Sequence, residues 1–164
     1  MRRTRLTGDG DFAWDPADPE GFRGGRDRIG RRLGAVRTGA SLYELPPGQA
    51  VCPYHYEHAE EEWLLVVEGE VAVRTPGGTE TLGPWELAFF PTGPEGAHGI
   101  RNDSDRTARV LMWSEIVHPA VTVYPDSDKI GVYVRDGSDD VIVRRGDAVG
   151  YYEGESEAGP PASP

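Results

Sequence analysis

Residues 47–63 read PGQAVCPYHYEHAEEEW, so a proline-glycine turn runs into a segment rich in histidine and glutamate. Side chains alternate between the two faces of a β-strand, and a strand over residues 51–58 therefore places His55 and Glu57 on one face and His58 on the other. Two metal-binding groups at this spacing are roughly 7 Å apart at the backbone and can hold one ion. The segment predicts half of a metal site.

The other half is predicted from a second glycine-rich segment. Residues 91–102 read PTGPEGAHGIRN, and His98 stands at the start of a strand directly after the corner. Glu62 begins the strand that follows the first segment, and a hairpin brings it back beside His55. Two imidazoles and two carboxylates suit a divalent first-row metal with at least one open position. The candidate metal ligands are His55, Glu57, Glu62 and His98.

The composition is typical of one domain built from strands. The chain has 164 residues, of which 37% are hydrophobic and 27% charged, and it contains 22 glycines and 14 prolines. This much glycine and proline favours short strands and turns over long helices. The single cysteine, Cys52, excludes an intrachain disulfide and a multi-cysteine zinc cage. We place Cys52 on the strand face opposite His55.

The charge distribution excludes some partners. A net charge of −11 argues against nucleic-acid binding, because most of the surface repels phosphates. Residues 1–37 nevertheless hold nine arginines and six acids. This basic segment either binds an anion or docks on an acidic body, and docking is the simpler expectation. No apolar run approaches the ~20 residues that span a bilayer, and no secretory signal is visible, so we expect a cytoplasmic protein without membrane contact.

The chain divides into an irregular N-terminal arm (1–34), a strand-rich domain (35–152) and a tail (153–164) that we expect to be disordered. In the arm we expect only a short turn around residues 27–33. Short segments at even spacing within the domain indicate an antiparallel sandwich or barrel. The predicted strands are 40–45, 51–58, 63–67, 70–75, 79–82, 86–90, 96–101, 108–114, 121–124, 131–135, 140–143 and 148–152.

Residues 48–102 resemble the two motifs of the cupin superfamily. In the first motif, His55 precedes Glu62 at the family spacing, and Glu62 is followed by six residues and then Gly69. This match covers a turn, a strand and the start of the next strand.

The second cupin motif is matched by Pro91-x-Gly93 and by His98-x-x-x-Asn102. The resemblance implies an all-β cupin fold, the double-stranded β-helix or jelly-roll barrel, with a metal inside. It implies one divalent ion per chain, with Fe, Mn, Ni and Zn as the candidates.

Three features depart from the cupin pattern. Glu57 stands where the family usually has a second histidine, Trp85-Glu86 replaces a usual Gly-Asp turn, and the gap between Gly93 and His98 is longer than usual. A carboxylate in place of an imidazole adds negative charge and makes the ligand set more suitable for harder metal ions.

The glutamate at position 57 leaves two interpretations open. His55, Glu57 and His98 follow the order of the facial triad that binds non-haem Fe(II) in oxygenases, with Glu62 as a fourth ligand or a nearby base. Alternatively, Glu57 is not a ligand and the barrel is metal-free.

Two functional hypotheses follow. The first is a divalent-metal-dependent enzyme that acts on a small organic substrate, with dioxygenase chemistry favoured and decarboxylase, isomerase or lyase chemistry next. The second is a non-catalytic cupin that binds a small ligand or a metal, as a sensor or accessory protein. An enzyme needs an open coordination position, whereas a binding protein tolerates a saturated or absent ion.

Large aromatic side chains fall on the strand face away from the predicted metal, namely Tyr54, Tyr56 and Trp63. Such a face needs a cover, which cupins commonly obtain from a second subunit or an N-terminal arm. We therefore predict a homodimer, with residues 35–45 or 141–152 in the contact.

Overall fold

The computed structural model describes residues 1–155, which form antiparallel sheets and one short helix, α1 (Ile29–Leu33). The predicted all-β class is confirmed. The strands are β1 (Gly25–Asp27), β2 (Thr38–Leu45), β3 (Tyr56–Glu57), β4 (Glu62–Glu68), β5 (Val71–Thr75), β6 (Gly78–Leu82), β7 (Leu87–Phe90), β8 (Gly99–Arg101), β9 (Ala108–Glu115), β10 (Ala120–Tyr124), β11 (Lys129–Tyr133) and β12 (Val141–Arg144).

The strands form a five-stranded sheet in the order β1-β2-β9-β4-β7, a four-stranded sheet β12-β11-β10-β3 and a three-stranded sheet β6-β5-β8. Along β4, Leu64 and Val66 are fully buried at alternate positions, as expected for a sheet with one face against the core. The core lies between this face and strands β5 and β8. Its buried members are Leu45, Leu64, Val66, Val71, Val73, Phe90, Ile100, Ala108, Val110 and Met112.

The N-terminal arm contains a strand that the sequence did not predict, and the short turn expected around residues 27–33 is the helix α1. Strand β1 pairs antiparallel with β2, so that Arg26 lies opposite Tyr43. Ile29 of α1 packs with Leu42 and Val67 in a second, smaller core. A three-residue strand has too few positions to show an alternating pattern, and β1 is therefore visible only through its pairing with β2.

Two predicted strands are wrong over most or all of their length. In the segment 51–58, regular strand covers only Tyr56–Glu57, and residues 51–54 form bends. Pro53 lies in these bends and has no N–H to donate to a ladder. Residues 148–152 are exposed and form no strand.

The other predicted strands are present with shifted ends. The largest shift is in the segment 96–101, where the strand begins only at Gly99 because Pro94–Gly96 forms a 3₁₀ turn. Of the tail predicted over 153–164, residues 156–164 lie outside the described residues. No helix within residues 1–155 has the length and apolar character needed to cross a membrane.

Trp85 occupies a backbone conformation that favours glycine, at the position where cupins usually have that residue. Its φ is 71°, and the residue is 71% exposed. The left-handed region costs a residue with a Cβ about 1–2 kcal/mol, and glycine avoids this cost. Glycine also has more conformational freedom in the unfolded chain, which cancels part of the gain in stability.

We expect Trp85→Gly to raise the free energy of unfolding by about 0.5–1 kcal/mol, measured by urea denaturation. Trp85→Ala is the matched control, because it removes the indole but keeps a Cβ at the same positive φ. An equal gain in both variants would show that the exposed indole, and not the backbone, is responsible.

Candidate metal centre

His55 and His98 are joined by two backbone hydrogen bonds. The His55 N–H donates to the His98 carbonyl oxygen (3.0 Å), and the His98 N–H donates to the His55 carbonyl oxygen (2.8 Å). This exchange makes them a directly opposed antiparallel pair. Both residues are buried, and their ring centroids are 4.7 Å apart.

Backbone carbonyls fix the orientation of both rings. Nδ1 of His55 lies 3.0 Å from the carbonyl oxygen of Pro53, and Nδ1 of His98 lies 2.9 Å from that of Gly96. A carbonyl oxygen can only accept, so each Nδ1 carries a proton and donates it. In the neutral rings, both Nε2 atoms therefore offer a lone pair to a cation.

Glu62 completes a cluster of three ligand atoms. Its Oε2 lies 3.5 Å from Nε2 of His55 and 3.5 Å from Nε2 of His98. Glu62 begins β4, where it lies between Phe90 of β7 and Ser114 of β9. The three ligand atoms lie within 4.8 Å of one another.

The residues of this cluster fit a divalent metal. Three buried polar atoms have no hydrogen-bond partner within residues 1–155: Nε2 of His98, Oε2 of Glu62 and Oε2 of Glu57. Unpaired buried polar atoms are costly, and a cation between them would satisfy them. Imidazole nitrogens and carboxylate oxygens together are suitable donors for divalent first-row metals.

Glu57 lies beside the cluster rather than within it. Its Oε1 is 4.0 Å from Nε2 of His55 and accepts a hydrogen bond from Oγ1 of Thr122 (2.7 Å). This contact follows from the pairing of β3 with β10, which sets Glu57 opposite Thr122. The set of two histidines and one carboxylate is thus assembled with Glu62, in the place that the sequence interpretation assigned to Glu57.

Burial and neighbouring charges shift the pKa values in the cluster. Burial and the nearby His55 lower the pKa of His98. Burial raises the pKa of Glu62, but its contacts with His55 and His98 outweigh burial and lower that pKa. Burial also raises the pKa of Glu57, to about 7, against the hydrogen bond from Thr122. A neutral His98 and an ionised Glu62 are the states that metal ligation requires.

The pKa of His55 shifts in the other direction from that of His98. Burial lowers it, but the contacts with Cys52 and Glu62 raise it by more, to about 11. Metal ligands bind in their unprotonated forms, so a cation competes with the His55 proton for this position.

His55 of the cluster and the neighbouring Glu57 line a cavity of about 610 Å³, a size suited to a small organic ligand. Tyr124 and Tyr133 line this cavity, and their hydroxyl oxygens are 2.7 Å apart. The ring centroids of Tyr124 and His55 are 6.2 Å apart. Neither tyrosine is predicted as a site residue from the sequence. No linear pattern distinguishes them from the other aromatic residues of the strands.

The position predicted for Cys52 is wrong. Its Sγ lies 3.5 Å from Nδ1 of His55, and the residue lines the cavity together with His55. Strand alternation does not apply there, because residues 51–54 are bent. His58 is exposed and its ring lies against Tyr56, away from the cluster.

Residues 41–114 match the Cupin_2 family, described as a cupin domain. No curated protein matches the chain. Among solved structures, a sugar phosphate isomerase from Silicibacter pomeroyi, of a cupin superfamily, is 22% identical over 84% of this chain and 90% of its own (TM-score 0.75). A putative sugar phosphate isomerase from Acidithiobacillus ferrooxidans is 23% identical over 87% and 88% (TM-score 0.74).

The polyketide cyclase RemF from Streptomyces resistomycificus is 26% identical, over 73% of this chain and 83% of its own, with a TM-score of 0.58. The two isomerases are too distant in sequence to indicate more than a shared fold.

Proposed function

We propose that this chain is a divalent-metal-dependent enzyme that acts on a small organic substrate. The chain is a cupin-domain protein with the predicted jelly-roll fold. The proposal depends on the convergence of Nε2 of His55, Nε2 of His98 and Oε2 of Glu62 within 4.8 Å. These three residues would hold the ion, with Glu57 as a fourth group, next to a cavity that can admit a substrate.

When bound, such an ion supplies Lewis-acid polarisation of a substrate oxygen or, if it is iron, activation of dioxygen. The protein's own residues orient the ligands and shield them from water. The carbonyls of Pro53 and Gly96 hold the imidazoles in place. Phe90 stacks on His98 with ring centroids 3.8 Å apart and shields that side of the cluster from water.

Oxygenase-type chemistry is the first candidate reaction, because two histidines and one carboxylate are the donor set of the facial triad. In this set the carboxylate is that of Glu62. Three ligands on one face of the ion leave its remaining coordination positions open for substrate.

Proton-transfer chemistry, as in isomerisation, decarboxylation or a lyase reaction, is the second candidate. It is favoured by Glu57, whose Oε2 is buried without a hydrogen-bond partner in the described chain and which borders the cavity. A carboxylate so placed can hold or move a proton of the substrate. The similarity to a polyketide cyclase also supports this class, since ring closure need not involve net oxidation.

Metal reconstitution tests the proposal. Metal-free protein is loaded anaerobically with Fe(II), Mn, Co, Ni, Cu or Zn, its metal content is measured, and it is assayed with a panel of small organic acids. Oxygen uptake with product formation supports the oxygenase, and turnover without oxygen uptake supports the second class. Stoichiometric metal without turnover would instead indicate the non-catalytic binding protein, and failure to retain any metal would overturn the metal site.

The homodimer stays a prediction, and the outer face of the five-stranded sheet offers a surface for it. Trp63 stacks on Trp113 with ring centroids 5.9 Å apart and contacts Phe89 at 4.7 Å, and Phe89 is 43% exposed. A two-fold interface matches a surface to itself, so these aromatic side chains can pack against their copies in a second chain. We expect light scattering to give twice the mass of one chain, and Phe89→Ser to shift it toward the monomer. A monomeric wild-type protein would contradict the prediction.

A further inference from the structure

We infer that Arg26 makes the cavity selective for small molecules that carry a carboxylate or phosphate group. This inference deepens the proposed function and rests on it, because it places the anionic group in the cavity beside the candidate metal ligands. Arg26 belongs to β1, in the arginine-rich N-terminal arm, and lies outside both cupin motifs.

The pairing of β1 with β2 directs Arg26 toward the site. Gly25 and Asp27 are buried on one face of β1, whereas Arg26 is exposed on the other. Its Nε lies 3.3 Å from Oγ of Ser41, and its guanidinium carbon lies 5.3 Å from the ring centroid of Tyr43. Arg26 lines the 610 Å³ cavity and an adjoining one of about 160 Å³, and His55 lines both as well.

The backbone of Arg26 is firmly held. Its N–H donates to the carbonyl oxygen of Ala13 (2.9 Å), and its carbonyl oxygen accepts from the N–H of Ala13 (3.0 Å). The next residue, Asp27, is only 4% exposed and forms an ion pair with Arg32 at 2.6 Å. A binding group on such a fixed segment loses little freedom when a ligand arrives.

The guanidinium of Arg26 has no acidic partner within the described chain. Within the described chain, Arg32, Arg74 and Arg109 each pair with a carboxylate, whereas no carboxylate lies within 4.0 Å of Arg26. Its charge is therefore available to a ligand. A guanidinium donates paired N–H groups in a geometry that matches carboxylate and phosphate oxygens.

Three acidic side chains line the cavity, and backbone N–H groups offset part of the charge of two of them. Glu60 accepts a hydrogen bond from the N–H of Val117 (2.7 Å), and Glu115 accepts one from the N–H of Glu61 (3.0 Å).

The third, Glu57, lies beside the candidate metal centre, where a bound cation would offset its charge. Arg28 adds a second positive charge at the cavity, whose other titratable side chains are His55, His118, Cys52, Tyr124 and Tyr133.

Isothermal titration of the metal-loaded full chain tests the inference. The probes are lactate, inorganic phosphate and 1,2-propanediol, which is lactate with the carboxylate replaced by an alcohol. Wild-type protein should prefer lactate over the diol, and Arg26→Gln should weaken binding of the anionic probes by about 10- to 100-fold. Arg26→Lys should show an intermediate loss, since it keeps the charge but not the paired N–H groups. Arg31→Gln, at an exposed arginine outside this cavity, is the matched control and should bind as wild type.

Metal content separates this inference from the proposed function. Arg26 is not a ligand, so Arg26→Gln should retain as much metal as wild type. If the wild-type chain retains no metal, the proposed function fails, and the same titrations on the metal-free protein still report on Arg26. Whichever of lactate and phosphate binds more tightly is the preferred anion. Weaker binding of either one to Arg26→Gln supports the inference. Unchanged anion affinity in Arg26→Gln, or no preference for lactate over the diol in wild type, would overturn it.

Discussion

Replacing His98 with alanine is expected to abolish retention of a divalent metal, with at least about 100-fold weaker affinity. His98 is 1% exposed, and its Nε2 is 3.5 Å from Oε2 of Glu62 and has no other partner among the described residues. Its Nδ1 is held by the Gly96 carbonyl, so the ring is oriented in advance. Elemental analysis after dialysis against a weak chelator measures the loss.

His58→Ala is the matched control, because His58 is exposed and lies outside the cluster. It should keep the wild-type metal content, and near-ultraviolet circular dichroism should show that both variants are folded. Equal metal content in His98→Ala and His58→Ala would contradict the site. Glu57→Ala extends the comparison: a metal content equal to that of wild type would remove Glu57 from the ligand set and leave His55, Glu62 and His98.

Asn102→Ala is expected to lower the free energy of unfolding by about 3–4 kcal/mol. Asn102 is fully buried, and its Nδ2 donates to the carbonyl oxygens of Leu45 (2.7 Å) and Arg106 (2.6 Å). Its Oδ1 accepts from the N–H (3.0 Å) and the hydroxyl (2.7 Å) of Ser104. Alanine would leave the carbonyl of the fully buried Leu45 without this donor and would also remove three bonds to the half-buried Ser104 and the exposed Arg106, so the cost exceeds that of a single hydrogen bond.

Urea denaturation measures this loss, with Asp103→Ala as the control. Asp103 is the exposed neighbour, and its ion pair with Arg101 at 2.8 Å is exposed on both sides. Its removal should change stability by less than about 1 kcal/mol. A similarly small effect of Asn102→Ala would mean that water replaces the lost bonds. The Asn102 of the second cupin motif would then have a role other than anchoring the loop after β8.

The cupin resemblance and the strand pattern predicted the parts of the site that are encoded locally. His55, Glu62 and His98 stand at recognisable distances from turn residues, and the strands that carry Glu62 and follow His98 are present. The predicted position of Cys52 is wrong because it depends on a continuous strand through Pro53. The chain bends there and turns the thiol toward His55.

The sequence by itself determined the all-β class and the candidate ligands, because alternation, turn residues and motif spacing are properties of neighbouring positions. Only the tertiary structure decided that Glu62, rather than Glu57, lies between the two imidazoles, and that Arg26 enters the cavity. The reason is that β4 is positioned by β7 and β9, β3 by β10, and β1 by β2. Such pairings join residues that are far apart in the chain, and no short segment encodes them.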